Sequence, residues 1–535
     1  MHEKEIDLDY LCILENSKIL LKPAGGNRGM DRLRKDFYNR LLDIIERLYY
    51  FFLIGILLLA IYNLFFCLKE TPIYSWDEAR HGISAYEMIK RRDFIVNTYG
   101  YRNDYWNLKP PLSFWAIALG YKIAGFNPLG LRIFSAVAAF FTILISVLFV
   151  KYRHGRLASL ITAIVLITSP KYIVIHSART GDADSLFVLF FSMSMISMIL
   201  SEKNIKWLYL AGFSFSMAFL TKSWHALNIV IIGLIHLVYS RTLFRLKVKE
   251  WTLLICSAFA PIISWASIRY TRDGFTFLKL MITYDLLTRS ATTIEGHIGD
   301  HWYYFDTLKS FYSIWLWVLG IGVVGYMILY SKLIYKDRFN ASRKNYVLLM
   351  ILWSSIPLIT FTKAGTKIGW YILPIYPAIA ISIGGLCGEV MRGARRSTLL
   401  QIVLLLFIIK GAIIYQTEIY KHIIIFKNDK NRVTFEYFEP GRDIRGSRMY
   451  MDYGPYAKIN VGPLSEFKNW QQSDMLSAEL YWDIVPEDGK MDAFLRDGSR
   501  EALIMVPKIQ YFKDIIMDEG LKIVGESSSV YILSK

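Results

Sequence analysis

The residues best able to do chemistry in this chain are carboxylates set against long apolar runs. Ser75-Trp76-Asp77-Glu78-Ala79-Arg80-His81 follows the first apolar stretch, and Arg179-Thr180-Gly181-Asp182-Ala183-Asp184 precedes another. Asp77 falls in the first turn of an expected helix, where the positive end of the dipole favours the ionised form. A carboxylate held ionised beside a membrane can take the proton of an attacking hydroxyl. Asp184 opens the apolar run 186–191, and Asp182 lies just before it. A favoured N-cap explains one such Asp, but not an Arg-x-x-Asp-x-Asp set facing a second acidic segment. Glu78 has two readings. With Ser75 it has the form of a capping box, and it is equally placed as a catalytic acid beside Asp77. His81, one turn after Asp77, can share its helix face.

Cations at the same ends of the apolar runs suggest what the acids work on. Lys109 precedes Pro110-Pro111, Lys222 lies in Leu220-Thr221-Lys222-Ser223-Trp224-His225, and Lys363 and Lys367 flank Gly365 before Trp370-Tyr371. Snorkelling to headgroups accounts for a single lysine. Several at one level point to an anion, and an ammonium is a compact counter-charge for a lipid phosphate. The segment Glu295-Gly-His297-Ile-Gly-Asp300-His301-Trp302-Tyr303-Tyr304 spaces two histidines four apart. Gly296 and Gly299 argue against a regular helix there, so a substrate-contacting aromatic loop is the better reading than a metal site. No metal ligand is assigned and no cofactor is identified; metal dependence stays open, because paired acids suit a divalent metal as well as direct proton transfer.

The elements that position these groups are membrane helices. The 535 residues are 54% hydrophobic and only 20% charged. Long apolar runs of this kind read as transmembrane helices, which satisfy their own backbone groups in lipid. The net charge of +17 could indicate nucleic acid, but Lys and Arg concentrate in short links between apolar runs. That is the positive-inside distribution, and it makes nucleic acid an unneeded partner. Cys12, Cys67, Cys256 and Cys387 are scattered, with neither metal-ligand spacing nor a disulfide framework. No cleavable signal peptide is apparent in the polar start.

Spans are expected near 48–68, 128–150, 156–176, 184–200, 205–221, 225–240, 250–270, 311–333, 345–362, 370–388 and 398–416. The segment 108–126 is read as re-entrant or interfacial. Residues 1–47 form a cytoplasmic N-terminal segment and 48–418 a transmembrane domain with extracytoplasmic loops 69–127 and 271–310. Residues 419–535 mix short β-branched runs with helical patterning, as expected of a small extracytoplasmic α/β domain. The fold class is therefore mainly α, a polytopic plasma-membrane protein with its acids and lysines on the outer face.

At these motifs the chain resembles bacterial members of the protein O-mannosyltransferase superfamily, including the lipid A aminoarabinose transferases. The matching pieces are Trp76-Asp77-Glu78-Ala79-Arg80, Lys109-Pro-Pro-Leu-Ser-Phe-Trp115, Ala178-Arg179-Thr180-Gly181-Asp182-Ala183-Asp184, Leu220-Thr221-Lys222, Glu295-Gly-His297 before Trp302-Tyr303-Tyr304, and Trp370-Tyr371-Ile-Leu-Pro374-Ile-Tyr376-Pro377-Ala378. Their order runs over about residues 48–390. The resemblance implies a type C glycosyltransferase fold of about 11–13 membrane helices and inverting transfer from a polyprenyl-phosphate sugar. On that analogy Asp77 is the base or its orienting acid, and Asp184 the second acid, with Asp182 as its rival. Lys109 would meet the donor phosphate, and Arg80, His81, Arg179, Lys222, His297, Tyr303, Lys367 and Tyr371 would line the substrate site. Ala79-Arg80-His81 and Lys222-Ser223-Trp224 depart from the lipid A enzymes, which leaves sugar and acceptor (lipid A, another envelope glycan or a protein) undetermined.

The bottom-up chemistry agrees. A lipid-phosphate leaving group needs cations where its charge develops. The nucleophile needs a carboxylate, and the prenyl tail an apolar groove. A lipid-linked-sugar flippase or transporter is the rival, but such proteins place ionisable groups near the bilayer midplane in repeated halves. Here the charges fall at the ends of spans.

Overall fold

The structure, a computed structural model, describes residues 40–71, 73–294, 296–335, 341–393, 398–427, 443–454, 472–487, 489–499, 501–526 and 530–535. Most of the N-terminal segment and Glu295 lie outside these residues. The helices are α1 (Tyr49–Phe65), α2 (Asp77–Arg91), α3 (Leu112–Ala124), α4 (Pro128–His154), α5 (Arg156–Ile167), α6 (Asp184–Leu200), α7 (Lys206–Lys222) and α8 (Leu227–Tyr239). They continue with α9 (Val248–Asp273), α10 (Tyr303–Tyr335), α11 (Ala341–Lys363), α12 (Ile375–Gly393) and α13 (Thr398–Lys427).

Each expected span falls on a helix. Six described stretches are long and apolar enough to cross a bilayer: Pro128–His154, Lys206–Tyr239, Val248–Asp273, Tyr303–Ser331, Ala341–Lys363 and Leu399–Ile425. The pair Arg40–Arg47 and Tyr49–Phe65, bent by 68°, makes a seventh. This is a multi-pass membrane protein. Where two spans were expected over 205–240, the chain stays helical through a 3₁₀ turn at Ser223–Ala226. Helices α5 and α6 are shorter apolar helices packed inside the bundle. Helix α3 has 13 residues, about 20 Å of rise, well short of the roughly 30 Å hydrocarbon core. It matches the non-spanning segment expected at 108–126.

Small residues let the inner helices approach closely. A Cβ on Gly384 of α12 would lie 2.6 Å from the Ala158 carbonyl of α5, and one on Gly388 would lie 2.7 Å from Ala158 Cβ. The two ends of the bundle differ in kind. At one, His154 Nδ1 meets Glu389 Oε1 at 3.2 Å and Arg343 donates to Glu389 Oε2 at 2.7 Å, tying α4, α11 and α12. At the other, the start of α6, the end of α7 and the start of α2 bring the acidic motifs together.

Helix α13 runs nine residues beyond the expected boundary at 418, to Lys427, before the C-terminal unit. That unit holds α14 (Gln472–Trp482), α15 (Met491–Arg496), α16 (Gln510–Asp518) and strands β3 (Met449–Met451), β4 (Leu503–Pro507), β5 (Lys522–Glu526) and β6 (Val530–Ser534), following the hairpin β1 (Thr98–Tyr99) and β2 (Arg102–Asn103). The sheet order is β3-β4-β6-β5, with β3 parallel to β4 and the other pairs antiparallel. Its α14 packs on α2. Met475, Leu476 and Trp482 share one buried cluster with Ile83, Tyr86 and Tyr121, while Tyr86 and Lys90 both bind Asp483.

Candidate active site

Helix α2 carries the first acidic motif, and its start is held from outside rather than by its own cap. The N-cap is Trp76, at φ 70°, with no side-chain cap bond. The expected Ser75–Glu78 capping box does not form, because both side chains have other partners. Ser75 Oγ donates to Gln472 Oε1 at 2.8 Å. Glu78, almost fully buried, accepts from Arg132 Nε at 2.6 Å and Nη2 at 2.9 Å. It also accepts from the backbone N–H groups of Tyr74 at 2.7 Å and Gly181 at 2.8 Å. Arg132, on α4, donates in addition to the carbonyls of Leu68 and Thr71. Glu78 thus ties the loop after α1, helix α4 and the 174–183 segment together, with no oxygen aimed at a substrate.

Asp77, one residue earlier, is different. Its side chain is 25% exposed, with Lys109 Nζ 3.7 Å from Oδ1 and His176 Nε2 3.6 Å from Oδ2. The other nitrogen of the same ring, Nδ1, lies 3.4 Å from Asp182 Oδ2 and 3.7 Å from Asp184 Oδ2. Asp184 in turn holds Lys222 in a buried ion pair. His81 Nδ1 lies 3.9 Å from Asp182 Oδ1. One imidazole therefore sits among all three aspartates singled out in the sequence. It is stacked on Trp370, with ring centroids 3.6 Å apart and planes 8° from parallel.

Strained backbone gathers at this point. Trp76, His176 and Ser223, at φ 70°, 52° and 46°, adjoin Asp77, lie in the cluster and follow Lys222. Positive φ in non-glycine residues is costly and persists where the surroundings over-determine it.

The charges set one another. Burial pushes the Asp77 carboxyl upward, but Lys109 and then His176 outweigh it and hold the group well below its usual range. Burial and the negative charges of Asp77 and Glu78 push Asp182 upward, against His176. For His176 burial opposes the charged form, yet Asp182, Asp184 and Asp77 together raise it to about 9. His81 goes the other way, down to about 3, through burial and the nearby Lys109. The site thus sets a mostly ionised carboxylate at its mouth and a neutral buried histidine at its back.

The remaining expected residues divide. Lys109 and Lys222 come to the acidic cluster. Tyr371 lies next to it: Lys222 Nζ is 5.5 Å from the ring centroid, and Arg289 donates to the hydroxyl at 3.2 Å. Arg80 is buried, with its guanidinium 4.2 Å from the Tyr99 ring and 4.4 Å from that of Trp106, and Nη2 donating to Asp104 at 2.8 Å. Arg179 donates to the carbonyls of Asn63, Leu64 and Phe66 at the end of α1. Both hold loops in place. His297 lies in the non-helical stretch before α10, so it and His301 do not form a helical pair; its carbonyl accepts from the Lys367 backbone N–H at 3.1 Å. Lys367 Nζ donates to Ala364 O at 2.9 Å, and Tyr303 borders Gly299 beside the Lys367 chain. These three line a second wall, apart from the aspartates. His176, Arg132 and Lys171 were not anticipated. Lys171 is buried, with Nζ 3.2 Å from the Cβ position of Gly369, so it joins that second wall.

Asp77, His176 and Asp182 each offer one ligand atom within 4.8 Å of the others, the described group that could hold a metal ion. Chemically, the cluster can accept a proton at Asp77 and present positive charge at Lys109 to an oxyanion.

Comparison with known proteins agrees with this picture. The family described as dolichyl-phosphate-mannose-protein mannosyltransferase matches residues 108–265. An uncharacterised protein of Aquifex aeolicus is 26% identical over 341 residues, covering 62% of each chain. The undecaprenyl phosphate-α-4-amino-4-deoxy-L-arabinose arabinosyl transferase 2 of Pseudomonas fluorescens is 25% identical over 340 residues, 61% of this chain and 55% of its own. The chain thus spans about three fifths of the length of these relatives. The crystal structure of ArnT from Cupriavidus metallidurans bound to undecaprenyl phosphate superposes with a TM-score of 0.61 at 13% identity, over 91% of this chain and 97% of that one. The chain has the fold of that protein, and the matched family and relatives agree with the resemblance carried by the motifs.

Proposed function

We infer that this chain transfers a monosaccharide from a polyprenyl-phosphate donor to a hydroxyl or phosphate acceptor at the extracytoplasmic membrane face, with inversion at the sugar carbon. The observation that carries the reading is the pairing of a partly exposed Asp77 carboxylate with Lys109 Nζ at 3.7 Å. A base and a phosphate counter-charge then stand side by side, at ion-pair distance, at the end of a helix bundle. Asp77 takes the proton of the acceptor hydroxyl as its oxygen forms the bond to the anomeric carbon; with a phosphate acceptor it would orient the nucleophile instead. The bond from that carbon to the phosphate oxygen breaks on the opposite face, and the leaving phosphate keeps the electron pair. Lys109 stabilises that charge where it develops. Lys222 is committed to Asp184 and orients the floor of the site. Arabinosyl transfer from undecaprenyl phosphate by the Pseudomonas relatives supports the donor class.

The test is transfer from a polyprenyl-phosphate sugar by purified full-length chain and by Asp77→Asn. The variant should insert and unfold like the parent while kcat falls by about 10²-fold or more. Undiminished transfer by Asp77→Asn would remove Asp77 as the base.

A further inference from the structure

We propose that helix α14 of the C-terminal unit positions Asp77, latched along α2 by Gln472 at one end and, towards the other, by Glu87 and Glu479 sharing one proton. The latch stands on the packing of the two helices. Its effect on transfer rests on the glycosyl-transfer reading above.

The helices run side by side in the same direction. At the start of α14, Gln472 Oε1 accepts from Ser75 Oγ at 2.8 Å, two residues before Asp77. Trp76, between them, has φ 70°, a conformation that a tryptophan keeps only where its surroundings over-determine it. Midway, a Cβ on Gly82 would lie 2.5 Å from Leu476 Cδ2, so the absence of a side chain there lets α14 come this close. At the far end, Tyr86 Oη and Lys90 Nζ donate to Asp483 at 2.5 and 2.8 Å.

Between these contacts lies a pair of acids that ordinary packing does not explain. Glu87 and Glu479 are 0% and 1% exposed, and their carboxyl groups are hydrogen-bonding neighbours. Two carboxylates can only accept. Ionised, they would leave Glu87 Oε2 and both Glu479 oxygens without a donor, and they would repel across a dry interface. One proton removes both penalties. Glu87 Oε1 already accepts from the Tyr101 N–H at 2.9 Å, so Glu87 is the better anion. The proton therefore sits on Glu479 and is donated to Glu87. Burial, and then the Glu87 charge, hold the Glu479 carboxyl well above the ordinary glutamate range. Burial also raises Glu87, against the hydrogen bonds it accepts.

Lys90, whose positive charge reaches Glu479, gives its Nζ to Asp483 instead. The other titratable groups facing the pair are Tyr86 of α2, Tyr99 and Tyr101 of the β1–β2 hairpin, Tyr121 of α3, and Asp483 after α14. Arg80 and Arg91 act on Tyr99 and Tyr101. Apart from α2, the free glutamate titrates at its ordinary value of 4.5. Below that pH both states carry the proton and the latch is complete. Above it, docking takes up one proton, so the docked-to-undocked ratio falls by up to about tenfold per pH unit. A glutamine at 479 would donate to Glu87 through its amide and has no proton to lose.

The experiment follows amide hydrogen exchange of full-length chain in detergent micelles at pH 5.0 and 7.5, each rate divided by the intrinsic rate at that pH. A helix of 11 residues is marginal by itself, so protection of α14 reports docking, while β4 and β6 report folding of the unit. Glu479→Gln should protect α14 at least tenfold better than the parent at pH 7.5 and within about fivefold of it at pH 5.0, with β4 and β6 alike in both. Asp474, on the same helix and bonded to Tyr453, is present in both proteins, so its own titration cancels. Should the variant misfold, the parent decides: its α14 protection should fall at least tenfold between the two pH values, beyond any change in β4 and β6. Equal α14 protection in the two proteins at pH 7.5, or a variant weakened equally at both pH values, would overturn the latch. In transfer from a polyprenyl-phosphate sugar, kcat of the parent should fall between pH 6 and 8 relative to Glu479→Gln, at unchanged donor KM. Identical kcat profiles beside a clear exchange difference would overturn the positioning of Asp77. No transfer by either protein at any pH, with the exchange difference in place, would remove the proposed function and keep the latch.

Discussion

Glu78→Gln separates a holding role from a chemical one. The carboxylate accepts two bonds from Arg132 and one each from the Tyr74 and Gly181 backbone N–H groups, at 2.6 to 2.9 Å. Removing one partner of a buried ion pair costs roughly 3–5 kcal/mol, because the other charge stays behind in a low-dielectric interior. Arg132 keeps the Leu68 and Thr71 carbonyls, and a glutamine oxygen still accepts part of the set. The expected loss therefore sits near the low end, about 3 kcal/mol. Reversible unfolding by denaturing detergent measures it, with Asp77→Asn as the control expected to change stability by less than about 1 kcal/mol as a partly exposed site. Transfer per folded molecule should stay within a few fold of the parent. A Glu78→Gln protein with parental stability but no activity would refute the reasoning, and would make Glu78 a working acid.

Lys109→Ala should raise the KM for the lipid-phosphate donor about tenfold, the order expected for one charge-assisted contact. A fall in kcat at unchanged KM would instead assign Lys109 to Asp77 alone. In the C-terminal unit, burial pushes the Asp474 carboxyl up to about 7, although the Tyr453 hydroxyl donates to it. Its folded form binds the proton more tightly than the unfolded chain, so its contribution to stability is full below about pH 4 and is lost as pH rises towards 7. Asp474→Asn should therefore raise the unfolding temperature at pH 8 and leave it nearly unchanged at pH 4; equal shifts at both values would contradict the assignment.

The sequence made the bundle and its acidic end legible, because apolar runs and the positions of Asp77, Asp182, Asp184, Lys109 and Lys222 are local properties. It also placed His81 on the Asp77 face. It assigned Asp77 and Lys109 separate roles, as base and as phosphate contact, whereas folding brings their charged groups within 3.7 Å. Partnerships between buried charges were not legible. Arg132 lies inside an apolar span, and its partner Glu78 is 54 residues away; nothing periodic links them. The same holds for Arg80 and Arg179, whose motif positions suggest substrate contact but whose guanidinium groups hold loops. His176 stands two residues before the Ala178–Asp184 motif, so proximity to that motif was the one available signal. Its importance comes from a backbone bend at φ 52° and a stack on Trp370, both products of tertiary structure.

Sorting the charges by what already holds them narrows the site further than any motif does. Glu78 and Arg132 stitch segments together, Arg80 is clamped by Asp104 and two aromatic rings, and Arg179 caps α1. Lys222 and Asp184 neutralise each other beneath the site. None of these is free to follow a reacting atom. Asp77, Lys109, Asp182 and His176 differ: among them the contacts run from 3.4 to 3.7 Å, longer than good charged hydrogen bonds. Groups held near one another but not locked together can change partners when a substrate or ion enters. A fold that fastens Glu78, Arg132, Arg80, Arg179, Asp184 and Lys222 and leaves these four loosely joined has put its adjustable electrostatics at one place, and that place reaches solvent through the partly exposed Asp77, Lys109 and His176.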